Sequence, residues 1–78
     1  MSINNDNYKT SDLALATTLS LNYPIFSIDK SNPSRSEFLF EKCEGLYDFV
    51  NKYWNGELRV EPQKFFTQLK VIKTRLYS

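Results

Sequence analysis

The sequence predicts a small α+β domain in which an antiparallel β-hairpin packs against three helices, in the order helix, strand, strand, helix, helix. Three segments repeat apolar residues at spacings of three and four, which is typical of helices with one buried face. Two short segments after the first of these alternate apolar and polar residues, which is typical of half-buried strands. A length of 78 residues with 41% hydrophobic content fits one folded domain rather than a disordered chain.

The first helix is expected to follow a loose polar tail, residues 1–7, which shows no periodic apolar signal. The folded domain is then expected to cover residues 8–78. The Thr-Ser-Asp segment at 10–12 offers side-chain oxygens to cap the helix. Pro24 is expected to end it, because proline lacks an amide proton and disfavours helical geometry in the preceding residue. The apolar face of this helix is expected to contain Leu13, Leu15, Ala16, Leu19 and Tyr23.

Two strands are predicted for residues 25–29 and 36–41, where apolar and polar residues alternate. Residues 30–35 between them contain Ser, Asn and Pro, a composition typical of turns. An isolated two-stranded hairpin is only marginally stable in water, so helices must cover its apolar face. That face is expected to contain Phe26, Ile28, Phe38 and Phe40.

The second and third helices are predicted for residues 43–55 and 61–77. Asn55 and Gly56 are residues that commonly close a helix. Pro62 fits the first position of the third helix, where no amide proton is needed. The apolar face of the second helix is expected to contain Leu46, Phe49, Val50, Tyr53 and Trp54. The apolar face of the third is expected to contain Phe65, Leu69, Ile72 and Leu76.

Composition excludes several kinds of catalytic and cofactor site. The chain has no His, which is the commonest general base and metal ligand, and its two glycines cannot form a phosphate-binding or dinucleotide-binding loop. Glu41, Glu44 and Asp48 are spaced by three and four residues, but acidic residues near a helix start are explained by the helix dipole. We therefore expect a non-enzymatic protein with no catalytic residue, no metal, no cofactor and no small-molecule substrate.

The single cysteine, Cys43, permits no disulfide within the chain and indicates a reducing, cytoplasmic setting. Its side chain is expected to be a small, partly buried hydrophobe. Residues 1–7 lack the features of a signal peptide. No apolar run approaches the roughly 20 residues needed to cross a bilayer, so contact with a membrane is not expected.

Charge is distributed unevenly along the chain. Residues 1–51 contain four basic and seven acidic residues, whereas residues 52–78 contain six basic and two acidic ones. The third helix also carries a second stripe, in which two aromatic residues and two lysines recur at helical spacing. Such a stripe is typical of single-strand nucleic-acid binders, and equally of helices that dock into a protein groove. The candidate binding residues are Arg59, Lys64, Phe66, Lys70, Lys73, Arg75 and Tyr77.

These residues leave two kinds of partner open. Lysines could neutralise phosphates while an aromatic ring stacks on a base, which makes the protein nucleic-acid-associated. Alternatively the protein is an adaptor or a self-associating module that uses the aromatic stripe or the edge of the hairpin. A basic surface that only meets solvent is the third reading.

Four segments, in this order, resemble a known protein family. They are TSDLALA at residues 10–16, FLF at 38–40, NGE at 55–57 and EPQKFF at 61–66. The family is an uncharacterised one of short bacterial and phage-associated proteins, the domain of unknown function 5659. The resemblance covers nearly the whole chain from Tyr8 and implies a shared fold. It implies no activity and no site residues.

Overall fold

The structure, a computed structural model, describes residues 7–32 and 34–77 and confirms the α+β class. The predicted order helix, strand, strand, helix, helix is present, and one further strand precedes it. Of the tail predicted for residues 1–7, only Asn7 belongs to the described residues, and it begins that strand. The elements are β1 (Asn7–Thr10), α1 (Leu13–Ser20), β2 (Ile25–Asp29), β3 (Glu37–Glu41), α2 (Leu46–Trp54) and α3 (Pro62–Tyr77).

The three strands form an antiparallel sheet in the order β1-β3-β2. The predicted hairpin is confirmed as the pair β2 and β3. The added strand β1 pairs with the other edge of β3 and places Tyr8 opposite Phe40 and Thr10 opposite Phe38. Because β3 is central, both of its phenylalanines are enclosed on two sides, and both are buried. The sequence did not predict β1, since its four residues contain one apolar side chain.

A bulge in β2 changes which of its side chains face the core. Ile25 lies opposite Phe40, but Ser27 lies opposite the residue that precedes Phe40, so one extra residue stands between them. Ile25 and Ile28 pack against the core, whereas Phe26 is 61% exposed. The prediction that Phe26 lies on the core face is therefore wrong. It assumed unbroken alternation, which the bulge interrupts.

The helices cover one face of this sheet, and α1 lies at the centre of the packing against β1, α2 and α3. Five of its eight residues are buried, including Thr17 and Thr18. The hydroxyls of these threonines donate to the carbonyl oxygens of Leu13 and Ala14 at 2.8 and 2.9 Å, so their burial leaves no unsatisfied donor. The buried core consists of Leu15, Ala16, Leu19, Phe38, Phe40, Leu46, Val50 and Ile72.

The ends of α1 are set by Asp12 and by the turn after Ser20. The Asp12 carboxylate accepts a hydrogen bond from the Leu15 amide at 3.0 Å, which confirms the predicted N-terminal cap. The helix ends at Ser20, four residues before Pro24, which was expected to end it. Tyr23 lies in the following turn and donates its amide to the Leu19 carbonyl at 2.8 Å.

Helix α2 begins at Leu46, three residues later than predicted. Gly45 has φ +90°, a left-handed backbone that does not occur within a right-handed helix. Of the acidic residues considered for this helix start, only Asp48 lies in the first turn. Cys43 lies before the helix and is exposed, so the prediction that it is partly buried is wrong. Trp54, the last residue of the helix, is exposed as well, so its predicted place on the apolar face is wrong.

Candidate functional site

Helix α3 begins at Pro62, as predicted, and the side chain of Glu61 caps it. The two carboxylate oxygens of Glu61 accept hydrogen bonds from the Gln63 and Lys64 amides at 3.0 and 3.1 Å. These amides are among those that have no partner within the helix. The 16 residues of α3 therefore form one helix about 24 Å long.

One narrow stripe attaches α3 to the rest of the domain. Ile72 is fully buried, and Leu76 is half-buried against the core. Phe65 and Leu69, on the same line, are also half-buried. The predicted apolar face is thereby confirmed. Successive helical residues are rotated by about 100°, so a stripe this narrow leaves most of the circumference of α3 exposed.

A second stripe on α3, which we call the exposed flank, consists of Phe66, Lys70, Lys73 and Tyr77. Phe66 is 60% exposed and Tyr77 is 77% exposed, and both lysines are exposed. The four residues follow one another at steps of four, three and four, so they lie on one line that extends about 16 Å along the helix. This is the only set of predicted site residues that the structure brings together in a continuous line on α3.

Charge on the exposed flank is not neutralised by α3 itself. The helix contains four basic residues and no Asp or Glu. Within the described part of the chain, neither Lys70 nor Lys73 forms an ion pair. An ion pair is present on α2 instead, between Lys52 and Asp48 at 3.4 Å. The two lysines of the flank therefore lie in water between two exposed aromatic rings.

Phe66 is held in place by its neighbour. The rings of Phe65 and Phe66 meet edge to face, with centroids 5.8 Å apart and planes at 79°. Such edge-to-face pairs are among the preferred arrangements of aromatic rings. Because Phe65 is half-buried, its ring gives the exposed Phe66 ring a supported position.

The other predicted site residues lie elsewhere. Lys64 and Arg75 are eleven residues apart, which places them within about 20° of each other around the helix axis, on the opposite side of the apolar stripe from the exposed flank. Arg59 is exposed in the connector at residues 57–61, before α3 begins. The seven predicted residues therefore do not form a single surface.

A cleft of about 550 Å³, which we call the C-terminal cleft, lies beside the last turn of α3. The start of α1, the β2–β3 loop and β3 form its other walls. Of the described residues that line the cleft, two are basic and none is acidic. They are Ser11, Leu13, Lys30, Ser34, Arg35, Ser36, Phe38, Leu76 and Tyr77.

Two hydrogen bonds join the walls of the C-terminal cleft. The Lys30 ammonium group donates to the Arg75 carbonyl oxygen at 3.0 Å, close to the C-terminal end of α3. Carbonyl groups there lack helical partners, and this is the negative end of the helix dipole. The Arg35 Nε donates to the Ser11 hydroxyl at 2.9 Å. The β2–β3 loop is thus tied both to α3 and to the residues before α1. Sequence reasoning missed Lys30 and Arg35, because it treated their segment only as a turn.

A second depression, about 520 Å³, lies at the other end of α3. It contains Lys64, but the carboxylate of Glu61 also lines it, next to Gln63, Thr67 and Gln68. An acidic side chain there opposes the binding of an anion. The basic residues at the two ends of α3 therefore have different surroundings.

Perturbed ionisable groups lie away from the exposed flank. Burial raises the pKa of Tyr8, and the charges of Tyr47 and Asp12 raise it further. Burial also raises the pKa of Tyr53. Hydrogen bonds from the Ser31 hydroxyl and amide lower the pKa of Asp29. Across residues 7–32 and 34–77 there is no group of three or more Cys, Asp and Glu side chains that could hold a metal ion.

The fold and the exposed flank define a small α+β domain: a three-stranded antiparallel sheet, helices on one face, and an outer helix that is basic and aromatic on its exposed side. A family model described as "Domain of unknown function (DUF5659)" matches residues 5–78. The chain belongs to this family, and the resemblance carried by its four segments is confirmed. No curated protein and no solved structure matches the chain. Among the described residues, no helix combines the length and apolar character needed to cross a membrane.

Proposed function

We propose that the protein is a non-enzymatic binding protein that holds single-stranded nucleic acid along the exposed flank of α3. One observation supports this more than any other: Phe66 and Tyr77 are both exposed on the line that also carries Lys70 and Lys73. An exposed aromatic ring gains little from folding, so two of them interleaved with lysines are better explained by a ligand with flat and anionic parts.

The geometry favours a single strand over a duplex. Stacking on Phe66 or Tyr77 needs the face of a base, which is covered by neighbouring bases in a duplex but available in an unpaired strand. Lys70 and Lys73 lie between the two rings, about 6 Å along the helix from the nearer ring in each case. Each can approach a phosphate of a strand whose bases stack at the two ends of the flank.

The binding test is fluorescence anisotropy with labelled single- and double-stranded DNA and RNA at about 50 mM salt, where phosphate contacts are strongest. We expect the single strands to bind more tightly. The double variant K70Q/K73Q should weaken binding and lower the slope of log K against log salt by about 1.4, because each phosphate contact to a single strand contributes about 0.7.

The matched control is K9Q/K52Q, which removes the same two charges from β1 and α2. It should leave the salt slope close to that of the unaltered protein. Absence of binding to every oligonucleotide at about 50 mM salt would overturn the proposal, as would equal effects of the two double variants.

A protein partner is the second candidate function, as an adaptor or a self-associating module. Helix α2 favours it, because Tyr47 and Trp54 are exposed seven residues apart and so lie on one side of the helix. Tyr and Trp are the residues that most often anchor protein interfaces. Strands β1 and β2 are also both edges of the sheet and can accept another strand.

Trp54 gives a direct test of this alternative, because it is the only tryptophan of the chain. Self-association through α2 should change its emission as protein concentration rises, and light scattering should show a matching rise in mass. Trp54→Ala should restore a monomer. A mass that stays monomeric at every concentration, together with no captured partner from the native host, argues against this candidate.

We also infer a cytoplasmic setting in a bacterial or phage-infected cell. The exposed position of the lone Cys43 supports a reducing compartment, where such a thiol persists. The source rests on the family resemblance alone. Thiol titration of the protein isolated from its host should find Cys43 reduced, and a mixed disulfide at that position would argue for an oxidising compartment.

A further inference from the structure

We propose that the C-terminal cleft binds one nucleotide unit, with the phosphate beside Arg35 and the base against the apolar floor and Tyr77. This assignment rests on the proposed function, because Tyr77 belongs both to the exposed flank and to the cleft. A strand that runs along the flank from Phe66 towards Tyr77 therefore reaches the cleft mouth. A free mononucleotide carries the same phosphate, sugar and base as one unit of the strand. The proposed site therefore departs from the expectation that the protein binds no small molecule.

The size and lining of the cleft fit this ligand. A volume of about 550 Å³ lies within the range of roughly 300 to 1,000 Å³ that is usual for small-molecule sites. Leu13 and Leu76, both half-buried, provide apolar surface for the face of a base, and the buried Phe38 also lines the cleft. Tyr77, largely exposed at the mouth, can close over the other face, since its ring has no core contact to lose.

Charge at the cleft selects an anion. Among the described residues that line it, the charged ones are Lys30 and Arg35, and both are positive. Arg35 uses one of its five N–H donors for the bond to Ser11, and that bond fixes the guanidinium next to the cleft. A guanidinium held in this way loses little conformational freedom when it binds a phosphate.

Three serines complete the site with neutral hydrogen-bonding groups. Ser11, Ser34 and Ser36 line the same cleft, which brings three hydroxyl-bearing residues to the site proposed for the phosphate and the sugar. The Ser34 hydroxyl and amide both donate to the Asn32 side chain, at 2.8 and 3.0 Å, which orders this part of the loop. The cleft therefore combines an apolar floor, a basic wall and hydroxyl groups, the three kinds of contact that a nucleotide requires.

The test is calorimetric titration of the full chain with adenosine monophosphate, adenosine and inorganic phosphate, beside anisotropy with a single-stranded oligonucleotide. We expect the monophosphate to bind more tightly than either of its parts. Arg35→Gln should weaken monophosphate binding about tenfold, as expected for loss of a charge-assisted hydrogen bond. Lys52→Gln is the charge-matched control on α2 and should leave it unchanged.

The two sources of the nucleotide are separated by the exposed-flank variant K70Q/K73Q. This variant should weaken binding of the oligonucleotide and leave the affinity for the monophosphate unchanged. If the monophosphate binds and no oligonucleotide does, the cleft takes a free nucleotide and the proposed function fails while the cleft assignment stands. If the oligonucleotide binds but neither Arg35→Gln nor Tyr77→Ala changes monophosphate binding, or the monophosphate does not bind, the cleft assignment is overturned.

Arg35→Gln also removes the bond to Ser11, so Ser11→Ala serves as a second variant. It keeps the charge of Arg35 and deletes the hydroxyl that fixes it, together with any contact of that hydroxyl to the nucleotide. We expect a loss of monophosphate affinity smaller than that of Arg35→Gln, with an unchanged thermal midpoint. A loss in Arg35→Gln no larger than that in Ser11→Ala would mean that the charge of Arg35 adds nothing to monophosphate binding, which contradicts the proposal.

Discussion

Helices α1 and α3 pack against each other but use their surfaces in opposite ways. Helix α1 has eight uncharged residues, five of which are buried. Helix α3 has sixteen residues, four of them basic, and only Ile72 is buried. A helix enclosed by its neighbours has few side chains left for a partner, whereas a helix attached by one stripe presents the rest of its surface. We therefore take α1 as the main source of stability and place the proposed binding on α3.

The largest effect is expected from the core of α1. Leu19 is fully buried, so Leu19→Ala should lower the free energy of unfolding by about 2 to 5 kcal/mol through lost burial and the cavity left behind. Urea denaturation measures it. The contrast on α3 is Val71→Ala, an exposed site at which the change should stay within about 0.5 kcal/mol. Similar losses in the two variants would remove the difference between the helices.

The next effect concerns affinity rather than folding. Phe66→Ala should weaken single-stranded binding by about 1 to 3 kcal/mol, the usual contribution of a stacked base, and should leave the urea midpoint nearly unchanged. Phe26→Ala is the matched control, because Phe26 on β2 is exposed to nearly the same extent, 61% against 60%. Anisotropy titrations of both variants decide the matter. If Phe26→Ala weakens binding as much, the contribution of Phe66 is not specific to the flank.

The sequence predicts the structure of α3 better than it predicts the sheet. The apolar stripe of α3 follows from the helical period alone, and its residues Phe65 and Ile72 lie where the spacing places them. The position of Phe26 depends instead on how β2 pairs with β3, which the residues of one strand do not reveal. The same holds for β1, because a short polar strand is recognisable only beside its partner.

The exposed flank and the C-terminal cleft differ in the same way. The flank lies on one helix, so its residues were found from their spacing. The cleft joins residues that are far apart in the chain: Lys30 and Arg75 are separated by 45 positions and meet through a hydrogen bond. No local pattern indicates such a meeting, since it arises from tertiary packing.

A smaller effect on stability is expected at the helix starts. Asp12→Ala removes the bond to the Leu15 amide and should destabilise the domain by about 1 kcal/mol. Glu61→Ala removes two bonds to amides at the start of α3, but these are exposed to water and the loss should be smaller. Thermal unfolding monitored by circular dichroism compares the two. A larger loss at Glu61 would mean that α3, rather than α1, limits the stability of the fold.

The smallest effect concerns alkaline pH. Because burial raises the pKa of Tyr8 in the folded state, folding favours the neutral phenol. The resulting contribution of Tyr8 to the free energy of unfolding is fully present below the pKa of about 10 that tyrosine has in the unfolded chain. It is lost as pH rises through the pKa of Tyr8 in the folded state. Tyr8→Phe should therefore make unfolding less dependent on pH above about 10. Urea midpoints of both proteins at pH 7 and at alkaline pH measure this, and parallel declines would exclude Tyr8 as the cause.

The most direct test of the division between α1 and α3 is a ¹⁵N NMR titration of the full chain with a single-stranded oligonucleotide at low salt. We predict chemical-shift changes at Phe66, Lys70, Lys73 and Tyr77, which fade as salt is added, and none at the buried residues of α1. Changes centred on Tyr47 and Trp54 of α2, or no changes at all, would contradict the assignment of binding to the exposed flank.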